Sequence, residues 1–236
     1  MSVFKFKYFS VQQSDSAMKV GTDAMLLGAL IDSSNKQLGL DIGAGTGVIS
    51  LMIAQVNSDI KIDSVELDEL SAKECHLNFL KSPWSKRLNS VSADFSSYVS
   101  NKMYDLIFSN PPYYQSTLVN EDNREAIAKH VSELTPERLI HKSESLLSET
   151  GSIWFIVPYS DVQHWINAAL DCGLYPAQQI EINGKEDHVP KRVVVCFERF
   201  KKPVDMFSLT VRADDGNYTQ EYISLTEEFH FVKLTP

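Results

Sequence analysis

Two short stretches of this chain combine residue types that can do chemistry. Asn110-Pro111-Pro112-Tyr113 places an amide, two rigid imino acids and an aromatic ring in one turn. Asp41-Ile42-Gly43-Ala44-Gly45-Thr46-Gly47 places a carboxylate ahead of three glycines spaced two apart. A planar amine or amide nitrogen is a weak nucleophile, because its lone pair is delocalised into a π-system. The Asn110 Oδ1 and the Pro111 carbonyl can each accept one of its N–H bonds, which draws the lone pair out of conjugation as attack develops. Pro111 and Pro112 stiffen the turn, so these acceptors are preorganised. Tyr113 can stack on the planar group and aim it. Strand termination accounts for the two prolines alone but leaves the Asn and Tyr beside them unexplained.

The glycines let the backbone turn sharply and approach a ligand closely. A turn without a ligand is the plainer reading of such a pattern. Dinucleotide binders prefer a longer second gap, which exposes helix N–H groups to a pyrophosphate. The even spacing here suits S-adenosylmethionine, which has no phosphate, and Asp41 offers the acidic surroundings that its cations need. Glu66 lies 25 residues beyond Asp41, where a carboxylate ending the next strand can accept both ribose hydroxyls. Asp94 follows a third strand and is placed to hold the adenine amino group, with Phe95 near the ring; a helix N-cap is the alternative role for Asp94.

The elements that must position these groups alternate in type. Leu38–Ile42, Ile62–Leu67, Leu88–Ala93, Tyr104–Ser109, Ile153–Val157 and Val193–Phe197 read as strands. Val48–Val56, Leu70–Leu80, Pro136–Leu147 and Val162–Leu170 read as helices, the second with Leu70, Leu77 and Leu80 on one side and the third with Pro at its start. This predicts an α/β fold built on a mainly parallel sheet with helices on both faces. Phe4–Val11 is an added strand candidate, and Ser208–Arg212 with Tyr218–Ser224 brackets a hairpin turn at Asp214–Asn217. With no linker in view, the expectation is one domain over 1–236, carrying an N-terminal elaboration (1–35) and a C-terminal hairpin and helix (203–236).

Composition narrows the function classes. The 236 residues are 43% hydrophobic, enough for an ordinary core. No apolar run reaches the roughly 18 residues of a membrane span, and Met1–Val11 lacks the apolar stretch of a signal peptide. Three well-separated cysteines suggest neither a disulfide framework nor a zinc site; the expectation is a metal-free, cytoplasmic protein, with a monomer favoured. The net charge of −9 argues against a general nucleic-acid coat. It leaves room for one local basic patch, for which Lys185, Lys191, Arg192, Arg199, Lys201 and Lys202 are the candidates.

Taken together, the motifs resemble the class I S-adenosylmethionine-dependent methyltransferases, and within them the amino-methyltransferases that carry Asn-Pro-Pro-Tyr. Ala17-Met18-Lys19-Val20-Gly21-Thr22-Asp23, followed by Leu26-Leu27-Gly28-Ala29, is similar to the N-terminal signature of the bacterial tRNA1(Val) (adenine-N6)-methyltransferase family. Lys191-Arg192-Val193 and Asp215-Gly216-Asn217-Tyr218-Thr219-Gln220-Glu221-Tyr222 are similar to that family's C-terminal half. The resemblance implies a Rossmann-like sheet, S-adenosylmethionine as cofactor, and methylation of the adenosine N6 just 3′ of a tRNA anticodon by Asn110, Pro111, Pro112 and Tyr113. It also implies that Lys19 and Thr22 close over the cofactor; Thr22 or Asp23 as the N-cap of a helix over Ala24–Leu30 is the plainer role. His130 is a candidate substrate contact or a solvated helix position. Two other functions compete: a protein glutamine-amide methyltransferase using the same turn, and a nucleotide-binding or NAD-dependent protein using the glycine loop alone.

Overall fold

A computed structural model describes residues 2–16, 18–112, 135–185 and 189–235. A small hairpin, β1 (Val3–Lys5) and β2 (Ser10–Gln12), is followed by α1 (Thr22–Leu30), β3 (Leu38–Ile42), α2 (Val48–Val56), β4 (Lys61–Glu66) and α3 (Glu69–Lys81). Then come β5 (Leu88–Ser92), β6 (Tyr104–Ser109), α4 (Pro136–Leu146), β7 (Leu147–Pro158), α5 (Val162–Asp171), β8 (Tyr175–Lys185), β9 (Arg192–Glu198), β10 (Asp205–Arg212) and α6 (Gln220–Thr226). Eight strands form one sheet in the order β10-β8-β9-β7-β6-β3-β4-β5. All its pairs are parallel except those of β9, which runs antiparallel to β7 and to β8.

The central strands are apolar on both faces because helices cover both. Along β6, β7 and β9 the side chains alternate between two cores. Leu106, Phe108, Trp154, Ile156, Val194 and Cys196 join one, with residues of α1, α2 and α3. Ile107, Ile153, Phe155, Val193, Val195 and Phe197 join the other, with Leu139 and Ile140 of α4 and Trp165 of α5. Near-continuous burial of this kind is the signature of a parallel sheet sandwiched between helix layers.

The order β5-β4-β3 then β6-β7 means that the chain fills one half of the sheet, returns to the centre, and fills the other half. Between β3 and β6 the direction of winding reverses, and such a switch point opens a crevice at the strands' carboxyl ends. In register, Ile42 lies opposite both Val65 and Ser109. The residues that follow Ile42, Val65 and Ser109 therefore emerge at one level.

Four elements differ from the sequence reading. The single strand expected over Phe4–Val11 is instead the antiparallel hairpin of β1 and β2, because the chain turns between them with Phe6 N donating to Phe9 O at 2.9 Å. β8, with Ala177, Ile180 and Ile182 buried, carries a register shift between Pro176 and Gln178, which breaks the period-two pattern that betrays a strand. Leu70, Leu77 and Leu80 of α3 are 59%, 37% and 58% exposed; the helix instead buries Ser71, Ala72, Glu74, Cys75, Asn78 and Phe79. The C-terminal hairpin contracts to the single bridge Arg212–Tyr218 around a turn with Gly216 at φ 87°, and Gln220 onward is helix, capped by Thr219 Oγ1 accepting from Tyr222 N at 3.1 Å.

Candidate active site

The glycine loop leaves β3 and enters α2. Gly43, Gly45 and Gly47 take φ of 69°, 54° and 77°, the left-handed region that side chains rarely adopt. Their surroundings differ. A Cβ on Gly47 would lie 2.5 Å from the Phe79 ring and 2.7 Å from Cys75 Sγ, so this glycine lets α3 pack against the loop. A Cβ on Gly43 or Gly45 would meet nothing within 4 Å, which leaves open space for a ligand to approach the backbone. Gly43 N and Ala44 N donate to Val65 O at 2.9 and 3.2 Å, tying the loop to the end of β4.

Glu66, the last residue of β4, is half-buried. Its Oε2 accepts from Gly45 N at 2.8 Å and its Oε1 from Asp68 N at 2.9 Å. The carboxylate is thus oriented against the glycine loop, and each oxygen retains acceptor capacity for a hydroxyl. Asp41 lies beneath, buried, with Ser50 Oγ donating to its Oδ2 at 2.6 Å and Ser64 Oγ 2.9 Å from Ser50 Oγ. Burial pushes the Asp41 carboxyl up to about 7; the Ser50 hydroxyl opposes that rise and the charge of Glu66 adds to it.

Asp94 follows β5, and its Oδ1 accepts from Ser96 N at 2.8 Å, an Asx turn rather than a helix cap. Phe95 departs from expectation: it is only 3% exposed and belongs to the core that holds Leu40, Ile42, Val65 and Ile107. A ring buried there supports the crevice wall from within and is not presented to a ligand.

Across the crevice, Ser109 ends β6, and its Oγ donates to Ile42 O at 2.6 Å. This buried bond clamps the two strands where the glycine loop and Asn110 diverge. Asn110 is half-buried, Pro111 buried and Pro112 exposed. The fourth motif residue, Tyr113, lies outside the described residues, as does His130.

The N-terminus of α1 reaches the same end of the sheet. Its N-cap is Gly21, with no side-chain cap, so neither Thr22 nor Asp23 plays that part; Thr22 opens the helix and is exposed, as is Lys19. Asp23 is free for a longer contact, and its Oδ2 accepts from Arg192 Nε at 2.9 Å. Because β9 is antiparallel, it starts at the crevice, with Arg192 opposite Pro158 at the carboxyl end of β7. Lys191 is exposed beside it. The basic cluster anticipated from sequence is consequently divided. Arg199 and Lys202 lie beyond the far end of β9, roughly 20 Å away for seven residues of strand. There Arg199 binds Glu144, with Nη1 donating to Oε1 at 2.5 Å, and also reaches the Leu147 carbonyl at 2.9 Å. A cleft of about 520 Å³ near Asn35, Asn57 and Phe229 sits at the strands' amino ends, away from all these groups. Among the described residues no His, Cys, Asp and Glu side chains cluster as a metal site, and no helix is long and apolar enough to cross a membrane.

The structural neighbours share this fold at low identity. A protein from Agrobacterium tumefaciens described as an O-methyltransferase superposes with a TM-score of 0.67 at 17% identity, covering 88% of this chain and 96% of that one. A class I S-adenosylmethionine-dependent methyltransferase assigned in Listeria monocytogenes gives 0.60 at 14%, covering 84% and 67%. The methyltransferase small domain family model matches residues 8–170. Sheet order, glycine loop and family match together define a class I methyltransferase that uses S-adenosylmethionine. At the sequence level the agreement is closer. Proteins named tRNA1(Val) (adenine(37)-N6)-methyltransferase are 38% identical in Flavobacterium psychrophilum, over 97% of this chain and 99% of the relative, and 36% identical in Pedobacter heparinus, over 97% of both. A third, from Photorhabdus laumondii, is 34% identical over 96% of this chain. The chain belongs to this tRNA1(Val) (adenine(37)-N6)-methyltransferase family.

Proposed function

We propose that the chain transfers a methyl group from S-adenosylmethionine to the exocyclic N6 of an adenosine in tRNA, next to the anticodon of tRNA(Val). The observation that carries this reading is the register of Val65, Ile42 and Ser109, which brings Glu66, the glycine loop and Asn110 to one crevice, in a chain that matches tRNA-modifying relatives over nearly its full length. The same match favours an RNA adenine over a glutamine amide as the acceptor.

The residues present fit the cofactor. Gly43 and Gly45 leave an open cradle, and Glu66 is held there as an acceptor for ribose hydroxyls. Asp41 lies below and supplies negative charge once pH passes its raised value of about 7, and Asp94 stands at the adjoining strand end. Lys19 and Thr22 are candidates to close the near side. Bound S-adenosylmethionine supplies an electrophilic methyl group on a sulfonium. The chain's own part is to grip the acceptor: Asn110 Oδ1 and the Pro111 carbonyl take the two N6–H bonds, Pro112 stiffens the turn, and Tyr113 stacks on the base. Held so, N6 concentrates its lone pair toward the crevice, and once attack has made it cationic its surplus proton passes to solvent water. An anticodon loop suits this grip, because its bases are unpaired and can be turned outward at low cost.

Incubating the pure protein with tRNA and methyl-labelled S-adenosylmethionine should yield N6-methyladenosine as the labelled nucleoside. Label in protein glutamine, or in another nucleoside, would overturn the proposal. Glu66→Ala should weaken S-adenosylmethionine binding by about 1.5–3 kcal/mol, the loss of hydrogen bonds to a charged group; calorimetry that finds equal affinity would remove Glu66 from the site.

Lys191 and Arg192 are proposed phosphate contacts at the crevice rim. Arg192 is already paired with Asp23, so exposed Lys191 is the cleaner test. Lys191→Ala should weaken tRNA binding and lower its salt dependence by about one phosphate contact, with S-adenosylmethionine affinity unchanged. An unaltered salt slope would move the RNA surface elsewhere.

A further inference from the structure

Beyond Gln12 the N-terminal chain makes one more backbone bond to its hairpin, from Gln13 N to Ser2 O at 3.0 Å, and then crosses to α1. The backbone of Gln12 and the N–H groups of Ser14, Asp15 and Ser16 are satisfied by one face of α3. Glu74 Oε1 accepts from Ser14 N at 2.8 Å and from Asp15 N at 3.3 Å; its Oε2 accepts from Ser16 N at 2.9 Å and Ser16 Oγ at 2.6 Å. One turn further along α3, Asn78 Oδ1 accepts from Gln12 N at 2.8 Å, and its Nδ2 donates to Gln12 O at 3.0 Å and to Thr46 O at 2.9 Å. Gln13 Oε1 accepts from Val20 N at 2.8 Å, bringing the end of the crossing back to its beginning.

Both anchors are nearly inaccessible, Glu74 at 5% and Asn78 at 1%. A carboxylate and an amide buried on a helix are costly unless fully bonded, and here the bonds go to groups 32 to 66 residues away. Burial pushes the Glu74 carboxyl up, but the Ser16 hydroxyl and three backbone N–H groups outweigh it and hold the group below its ordinary value. Thr46 belongs to the glycine loop, and the neighbouring α3 residues Cys75 and Phe79 press on Gly47 of the same loop. One helix therefore grips the loop and the N-terminal crossing with adjacent side chains.

We infer that Glu74 and Asn78 are positioning residues for the cofactor: they hold residues 12–16 against the glycine loop and, through the bond from Val20 N to Gln13 Oε1, set Lys19 and the start of α1 in place when the loop is. The inference rests on the proposal that this loop receives S-adenosylmethionine. A chain so held needs little further ordering when the ligand binds, and loss of the grip should appear as weaker binding rather than slower chemistry.

The test compares Glu74→Ala and the milder Ser16→Ala with the parent, using S-adenosylhomocysteine binding by calorimetry and steady-state methylation of tRNA. Glu74→Ala should weaken binding about tenfold and Ser16→Ala about threefold, in keeping with hydrogen bonds to a charged group. KM for S-adenosylmethionine should rise in parallel, and kcat at saturation should stay within about twofold of the parent. Ser16→Ala removes one hydroxyl from the end of the crossing, so it decides the matter if Glu74→Ala does not fold. Folded variants that bind as the parent does would overturn the inference, as would a fall in kcat with KM unchanged, and both would leave the cofactor proposal standing. A parent that fails to bind S-adenosylhomocysteine would overturn the cofactor proposal and this inference with it.

Discussion

Asn110→Ala is expected to slow single-turnover methylation of tRNA by about a hundredfold or more while S-adenosylmethionine binds as before. Asn110 follows directly on Ser109, whose buried Oγ bond to Ile42 O fixes the end of β6 against β3. The side chain therefore leaves from a rigid strand end and not from a mobile tip. Pro111 is buried and Pro112 follows, so the carbonyl acceptor of the turn stays in place when the amide is removed. On the proposed grip, the substitution deletes one oriented acceptor for the N6–H bonds, and loss of one such preorganised group typically costs about 2.7–4 kcal/mol. Stacking is separable from this. Tyr113→Ala should lose about 1–3 kcal/mol, and Tyr113→Phe should be nearly harmless, since in the proposed grip it is the ring that stacks. Parental turnover in Asn110→Ala, or equal damage from Phe and Ala at position 113, would contradict the proposed grip.

Asp41→Asn is expected to change the pH dependence of stability more than any other single replacement near the crevice. Burial raises the Asp41 carboxyl to about 7, against the pull of the Ser50 hydroxyl, from an ordinary value of 3.8. Between these values the folded protein holds a proton that the unfolded chain has released. Stability present below about pH 4 is thus lost as pH climbs toward and through 7, by about 1.4 kcal/mol per unit, reaching a penalty on the order of 4 kcal/mol. Asn keeps an acceptor for Ser50 Oγ and carries no charge. Denaturant unfolding should show the parent less stable at pH 8 than at pH 5, and Asp41→Asn with a flatter profile and the greater stability at pH 8. A parent equally stable at both would sink this. The stabilised variant should bind S-adenosylmethionine more weakly at pH 8, because on the proposed reading the charge that costs stability is the one offered to the cofactor's cations.

The crevice was legible in sequence wherever its parts are local. Left-handed backbone needs glycine, so Gly43, Gly45 and Gly47 announced the loop. Proline ends a ladder, so Pro111 and Pro112 marked the end of β6. β3, α2 and β6 have the bounds that apolar periodicity predicts, because a short element with a repeating pattern carries its own period wherever it packs.

The tertiary structure decided what depends on a distant partner. Leu70, Leu77 and Leu80 share one side of α3, yet the buried side carries Glu74 and Asn78, because a hairpin and crossing 58 to 66 residues earlier in the chain arrive with backbone groups to satisfy. Phe95 looked like a wall for adenine and is core. Lys191 and Arg199 are eight residues apart in one basic stretch, but β9 carries them to opposite ends of the sheet. Chain direction decides that, and direction is set by pairing with β7 and β8. By itself, the sequence determined the two motifs and the alternation of elements, since backbone conformation and hydrophobic period are properties of neighbouring residues. Only the folded sheet decided that they share one crevice, because register between strands and the side of a helix that lies buried are set by residues far apart in the chain.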